Sequence, residues 1–247
     1  MGALMPNPDK KPGRRRRGRP SKVQAQGDIA LLDAAQSAFA RYGFEGATLR
    51  GVAAAAGVDP ALVAHYFGSK KALWEAVVDR MSQRLLPLIA NLEDLNRRTS
   101  IPIRIRLGNG LWQLVSAVCD EPEFGMFLSR AGAEKNERLN LLVRKLLRPH
   151  HDAFRPILLE AMHRKVIANQ PVEILYFMLV QAIVMTVSYR HILSQFGAGV
   201  DDIAKLKAGV MHCICATFLG RHDSQMTAKE AVRSFMTMPG LRRGSAH

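Results

Sequence analysis

The sequence predicts an all-α protein in two parts, a small helix-turn-helix head followed by a larger helical body. Three observations carry this. From Ile29 onward apolar residues recur at helical spacing, and no alternating strand pattern breaks the series. The stretch VDPALVAHYFGSKKALW, Val58 to Trp74, holds two capped helix starts, at Asp59 and Ser69, separated by one very short helix. No internal repeat is present.

The elements follow in order. Residues 1–26 are rich in Pro, Gly, Arg and Lys and are expected to form a disordered basic arm. Ile29, Leu32, Gln36 and Phe39 predict a first helix, which Tyr42-Gly43 should stop. Thr48 should cap a second helix, with Leu49, Val52, Ala53 and Ala56 as its inward stripe and Gly57 as its end. Asp59 as cap and Pro60 as first helical residue open the third helix. Its Val63 and Phe67 should face the first helix, leaving Ala61, Leu62, Ala64, His65 and Tyr66 outward. Ser69 caps a fourth helix expected to reach the region of Pro87. Further helices are expected over 101–119, 121–132, 136–165 (bent or broken by Pro149 and Pro156), 171–195 and 201–219. The expected divisions are therefore an arm over 1–26, a head over 27–75, a body over 76–222 and a loose tail over 223–247.

Charge narrows the function classes. The formal net charge is +14, and half of it lies in residues 1–22, where eight Lys and Arg face Asp9 alone. Without an interleaved apolar face such a tail suits a polyanion such as double-stranded DNA better than a membrane surface. The longest apolar run, Ile174 to Tyr189, is sixteen residues and includes Gln181. It falls short of the roughly 20 residues a membrane span requires. Three cysteines, Cys119, Cys213 and Cys215, suggest a reducing compartment, and no secretory signal is evident, so a cytoplasmic, nucleoid-associated protein is expected.

The stretch FARYGFEGATLRGVAAAAGVDPALVAHYFGSKKALW resembles the DNA-binding domain of TetR-family regulators over about residues 28–75. The resemblance lies in YGFEGATLRGVA, in the AGV turn, in HYF at the end of the third helix and in SKKAL at the start of the fourth. It implies a homodimer, a pseudo-palindromic operator and a small-molecule effector bound in the C-terminal body. It also implies DNA contacts. Thr48 and Arg50 would meet the duplex at the start of the second helix. Pro60, Ala61, Leu62, Ala64 and His65 would line the major groove. Tyr66 and Lys70 would hold phosphates. Leu62 stands where threonine is frequent in the family and Ala64 where tyrosine is frequent. Apolar contact with a thymine methyl is then expected in place of two polar contacts. The tail RRRRGRPSK resembles an AT-hook core, which implies that Arg14, Arg15, Arg16, Arg17 and Arg19 enter a narrow A·T minor groove.

Other constellations point away from catalysis. His212-Cys213-x-Cys215 puts its two cysteines on different helix faces and lacks a second ligand pair, so two small core residues, and no metal site, are expected. His150-His151-Asp152 reads as a solvated turn. No phosphate loop, nucleophile elbow or convincing carboxylate pair stands out, so neither an enzyme nor a cofactor is expected. For the effector pocket the candidates are Trp112, Met126, Phe127, Arg130, Phe154, Phe177, Gln181, Met185 and Tyr189, whose chemistry leans to an apolar or aromatic ligand. Helices 171–195 and 201–219 are expected to form the dimer interface, because Ile174 to Tyr189 is apolar nearly all round. The reading from another class is an architectural DNA-binding protein without an effector.

Overall fold

The computed structural model describes residues 22–134, 136–197 and 199–218. The arginines of the arm and the 223–247 tail lie outside them. Among the described residues the chain is all-α. Helix α1, Lys22–Gly46, starts five residues inside the stretch expected as arm, and Gly43 breaks its helical geometry at φ 71°. Helices α2, Leu49–Ala56, and α3, Pro60–Phe67, follow, joined through Gly57. At φ 67° that glycine is left-handed, and the N–H groups of Gly57 and Val58 return to Ala54 and Ala53 at 3.2 and 3.0 Å. Three side-chain caps hold the motif: Thr48 accepts from Gly51 N, Asp59 from Ala61 N and Ser69 from Ala72 N.

Leu31, Ala35 and Phe39 of α1 pack with Val52, Ala53, Val63, Leu73, Trp74 and Val77 as the core of the head. Of the four residues whose spacing predicted this helix, Gln36 and Phe39 are buried and Leu32 is half-buried, whereas Ile29 is 52% exposed. Helix α4, Lys70–Arg97, does not stop near Pro87 but continues for ten residues beyond it. Pro87 is on the solvent side, while Leu88, Leu92 and Leu95 bury against the body. Burial of those three leucines outweighs one missing backbone hydrogen bond.

The body contains α5, Ile103–Asp120; α6, Pro122–Gly132; α7, Glu137–Leu142; α8, Arg148–His163; α9, Val172–Ser188; α10, Arg190–Gln195; and α11, Ile203–Phe218. A π-helical turn, Val143–Leu147, joins α7 to α8 and takes up the irregularity ahead of Pro149. Pro149 itself is the second residue of α8, directly after that turn. The expected helix 171–195 divides at Tyr189, whose φ and ψ of −101° and 23° leave the helical region. Helix α5 lies centrally, with Leu107, Leu111 and Val115 packed among residues of α8, α9 and α11.

Packing around α5 is tight at one glycine. A Cβ on Gly110 would lie 2.8 Å from Phe154 Cε2 and 3.1 Å from Leu92 Cδ2. Phe154 is fully buried, so its ring has nowhere to retreat. Gly110→Ala is expected to cost about 1–2 kcal/mol after the gain in helix propensity. Urea unfolding measures this, and a stabilised variant would show that the ring yields.

The head and body share a seam. Phe127 and Ala131 of α6, with Leu142 and Leu146, belong to the same buried cluster as Trp74 and Phe39. Around the seam Asp33 of α1 pairs with Arg80 at 2.8 Å and Arg84 at 3.1 Å, and Arg84 also reaches Glu121 at 2.9 Å. Ser37 Oγ donates to Glu123 at 2.5 Å. Arg138 of α7 bonds Glu134 and lies 3.8 Å from the ring centre of Phe44.

Candidate functional site

Helix α3 is eight residues, too short to persist alone, and is held by the burial of Val63 and by caps at both ends. Pro60, Ala61, Leu62, Ala64, His65 and Tyr66 are all exposed. They form one outward face, with the His65 and Tyr66 rings edge to face at 5.8 Å. Thr48 and Arg50 are exposed at the start of α2. The Thr48 oxygen already accepts from Gly51, which leaves its hydroxyl proton available to an acceptor outside the helix. Lys70 is half-buried: its Nζ donates to the Glu45 carbonyl at 3.2 Å and lies 4.7 Å over the Phe44 ring. An ammonium has three donors, so that anchor aims the group and leaves capacity for a phosphate. The α2 and α3 N-termini add positive partial charge to the same surface.

A second feature lies within the body. A cavity of about 150 Å³ opens between α4, α5, α6, α8 and α9. Its wall is mainly apolar, with Leu88, Leu114, Val118, Leu128, Val180 and Val184 among its residues. Arg84, Asp120 and Glu121 are the charged members of the lining. Arg84 pairs with Glu121, and Asp120 takes Lys207 at 2.7 Å. Two polar side chains of the wall are almost fully buried: His150 Nδ1 and Tyr176 Oη are 2.8 Å apart. Burial pushes His150 down to about 4, with His151 adding to the effect, so the ring is neutral at pH 7. Burial likewise raises the Tyr176 phenol, which stays protonated.

Comparison with known proteins bears on the first surface. Residues 31–77 match the family model described as bacterial regulatory proteins, tetR family. Over that stretch the chain is similar to the TetR family. Its matched region contains Thr48, Arg50, α3 and Lys70. It is also similar to the HTH-type transcriptional regulator RutR of Escherichia coli strain K12, 36% identical over 91 residues. That match takes in 36% of this chain and 43% of the relative, and the RutR of Shigella flexneri matches equally. Among solved structures, HlyIIR, a hemolysin II transcriptional regulator, aligns with 75% of this chain and 97% of its own at TM-score 0.55 and 19% identity. FadR from Bacillus subtilis, solved with stearoyl-CoA, aligns with 76% and 98% at TM-score 0.56 and 16% identity. These two likenesses concern the fold, which TetR-family regulators share as an N-terminal helix-turn-helix on a helical body. The family consists of transcriptional regulators, not enzymes.

None of the nine residues expected in the pocket lines the cavity. Phe127 belongs to the core of the head and Met126 packs against it. Phe154 is body core and Trp112 is packed on that core. Arg130 is exposed at the end of α6. Phe177 on the outward face of α9 and Tyr189 just past its end are 59% and 47% exposed, with Gln181 and Met185 half-buried. The physical reason is that α9 is apolar all round, so its composition says nothing about which face turns inward. Tyr176, Val180 and Val184, at successive fourth positions, are the residues that turn to the cavity.

His150 corrects a second expectation. It sits in α8, not in a solvated turn, and is 5% exposed. Pro149 beside it suggested a loop, whereas the π-helical turn ahead of Pro149 carries the chain past it in helical geometry. The signal that could have found it is spacing: His150, Phe154, Ile157 and Leu158 follow i, i+4, i+7 and i+8. The cysteine pair divides as well, with Cys215 buried and Cys213 exposed, so only one of the two is core. Among the described residues no group of three or more His, Cys, Asp or Glu could hold a metal ion. No described helix is long and apolar enough to cross a membrane.

Proposed function

We propose that this chain is a sequence-specific DNA-binding transcriptional regulator, a repressor released by a small apolar or aromatic effector held in its body. The observation that carries the reading is α3: a capped helix of eight residues with an unburied outer face, set between the Thr48 cap and Lys70. In that reading Pro60, Ala61, Leu62, Ala64 and His65 enter a major groove, while Thr48, Arg50, Tyr66 and Lys70 hold phosphates. Arg14, Arg15, Arg16, Arg17 and Arg19 reach an adjacent A·T minor groove. The operator is double-stranded and pseudo-palindromic, and the protein acts in the cytoplasm on the nucleoid. An internal cavity walled by apolar side chains favours an effector-controlled regulator over a purely architectural DNA binder.

Two copies pairing through residues 171–195 and 201–219 present the paired heads to one duplex. Support comes from Ile174, Phe177 and Met178, which stand 53–60% exposed along α9. Ala204, Ala208, Gly209 and Ala216 of α11 are exposed too, and small residues allow close helix approach.

Selection of bound DNA from the whole genome should yield a two-fold repeat, and a footprint without one would favour the architectural class. Against the selected site, Tyr66→Phe and Lys70→Ala are expected to weaken binding at every sequence. Lys70→Ala should also reduce the slope of log affinity against log salt by about one. An unaltered slope would remove Lys70 from the phosphate contacts.

A further inference from the structure

Of the described side chains that carry a buried polar atom without a hydrogen-bond partner, His150 is the one that lines the cavity. Its Nδ1 is taken by Tyr176, but its Nε2 is buried without a hydrogen-bond partner. A buried unpaired nitrogen is costly, and native proteins seldom leave one without a use. The same side chain lines the cavity, whose remaining wall is mostly Leu, Val and Phe. Size, polarity and charge of an occupant can each be read from these features.

Size comes from the volume. An engineered apolar cavity of about 150 Å³ takes up benzene, and this one has about the same volume. Polarity comes from the tautomers. If Tyr176 donates to Nδ1, Nε2 carries the proton and needs an acceptor. If Nδ1 donates to Tyr176, Nε2 is bare and needs a donor. A hydroxyl satisfies both cases, whereas a carbonyl or an amine cation satisfies one. Charge comes from the surroundings: the imidazole is neutral, and the lining's Arg84 and Asp120 are already paired with Glu121 and Lys207. A bare carboxylate would therefore be stranded in an apolar wall.

We propose that the cavity binds a neutral single-ring molecule carrying one hydroxyl, phenol being the simplest, with His150 Nε2 as the partner of that hydroxyl. This deepens the effector reading and rests on it. Tyr176 acts as a positioning residue, fixing the imidazole through Nδ1.

The test is calorimetric titration of the full chain with phenol, benzene and benzoate at pH 7. Phenol is expected to bind about 3- to 10-fold more tightly than benzene, the worth of one neutral hydrogen bond, and benzoate is expected not to bind. His150→Phe should keep benzene binding and bring the phenol-to-benzene ratio to about one. Should that variant fail to fold, ¹⁵N spectra of the histidine rings in the unaltered protein give the answer. The His150 Nε2 resonance should shift with phenol and stay in place with benzene. Equal binding of phenol and benzene, preference for benzoate, no binding of either ring, or an unmoved Nε2 resonance overturns the proposal. Operator affinity, measured separately, keeps the two readings apart. Phenol bound through His150 without any change in operator affinity sinks the effector reading and leaves the anchor intact. Operator release by another class of compound, with phenol not bound, does the reverse.

Discussion

Phe127→Ala should lower the stability of the protein by about 3–5 kcal/mol, the usual loss for a fully buried aromatic cut to alanine. Phe127 is 1% exposed. It stacks on Trp74 at 5.8 Å between ring centres and meets Phe39 edge-on at 6.5 Å. Helix α6 carries it into the head, while Leu128 of the same helix lines the cavity in the body. The empty space would therefore open at the seam between the two parts, where neither can close over it alone. Urea unfolding followed by tryptophan fluorescence and by helical circular dichroism measures the loss. A penalty under about 1.5 kcal/mol would mean that the seam collapses easily and that the head does not depend on α6.

Glu160→Ala is expected to cost about 3 kcal/mol, the lower end of the range for stripping the partner from a buried charge. Arg106 is 1% exposed, and its Nη2 donates to Glu160 Oε1 at 2.7 Å. Its Nε donates to the Ile101 carbonyl at 3.0 Å, so one backbone contact remains when the carboxylate is removed. The lower end is chosen because the Glu160 side chain is about one-third exposed and water partly replaces it. Arg106→Met combined with Glu160→Ala should recover most of the stability, since no charge is then left buried. Thermal unfolding of the two single variants and the double variant completes the cycle. A double variant as unstable as Glu160→Ala alone would place the loss in packing instead of in the orphaned guanidinium.

The head was readable because its signals are local. Thr48, Asp59 and Ser69 each cap a helix through a bond to a residue two or three positions on. Gly57 adopts the one backbone region that its missing Cβ makes easy. These constraints act within a few residues of chain, so residue order is enough to express them. The outward set Ala61, Leu62, Ala64, His65 and Tyr66 followed from the same reading, because Val63 and Phe67 fix which side of α3 is inward.

The body was readable only as a set of helices. Helix α4 outruns Pro87 because leucines a turn or more beyond it find cover on α5 and α8, a fact about neighbours distant in sequence. The cavity escaped for the same reason. Which face of an all-apolar α9 looks inward depends on what α5 and α6 offer it, and Gly125 shows how close that approach is. A Cβ there would meet Val184 Cγ1 at 2.9 Å.

Residue order alone was sufficient for the helix type, the caps and the outward face of α3, since short-range bonds and periodicity encode all three. The shared seam at Phe127, the buried Arg106–Glu160 pair and the placing of His150 beside Tyr176 required the folded chain. Each joins residues separated by 26 or more positions, and contacts of that range arise from packing, which no local pattern announces.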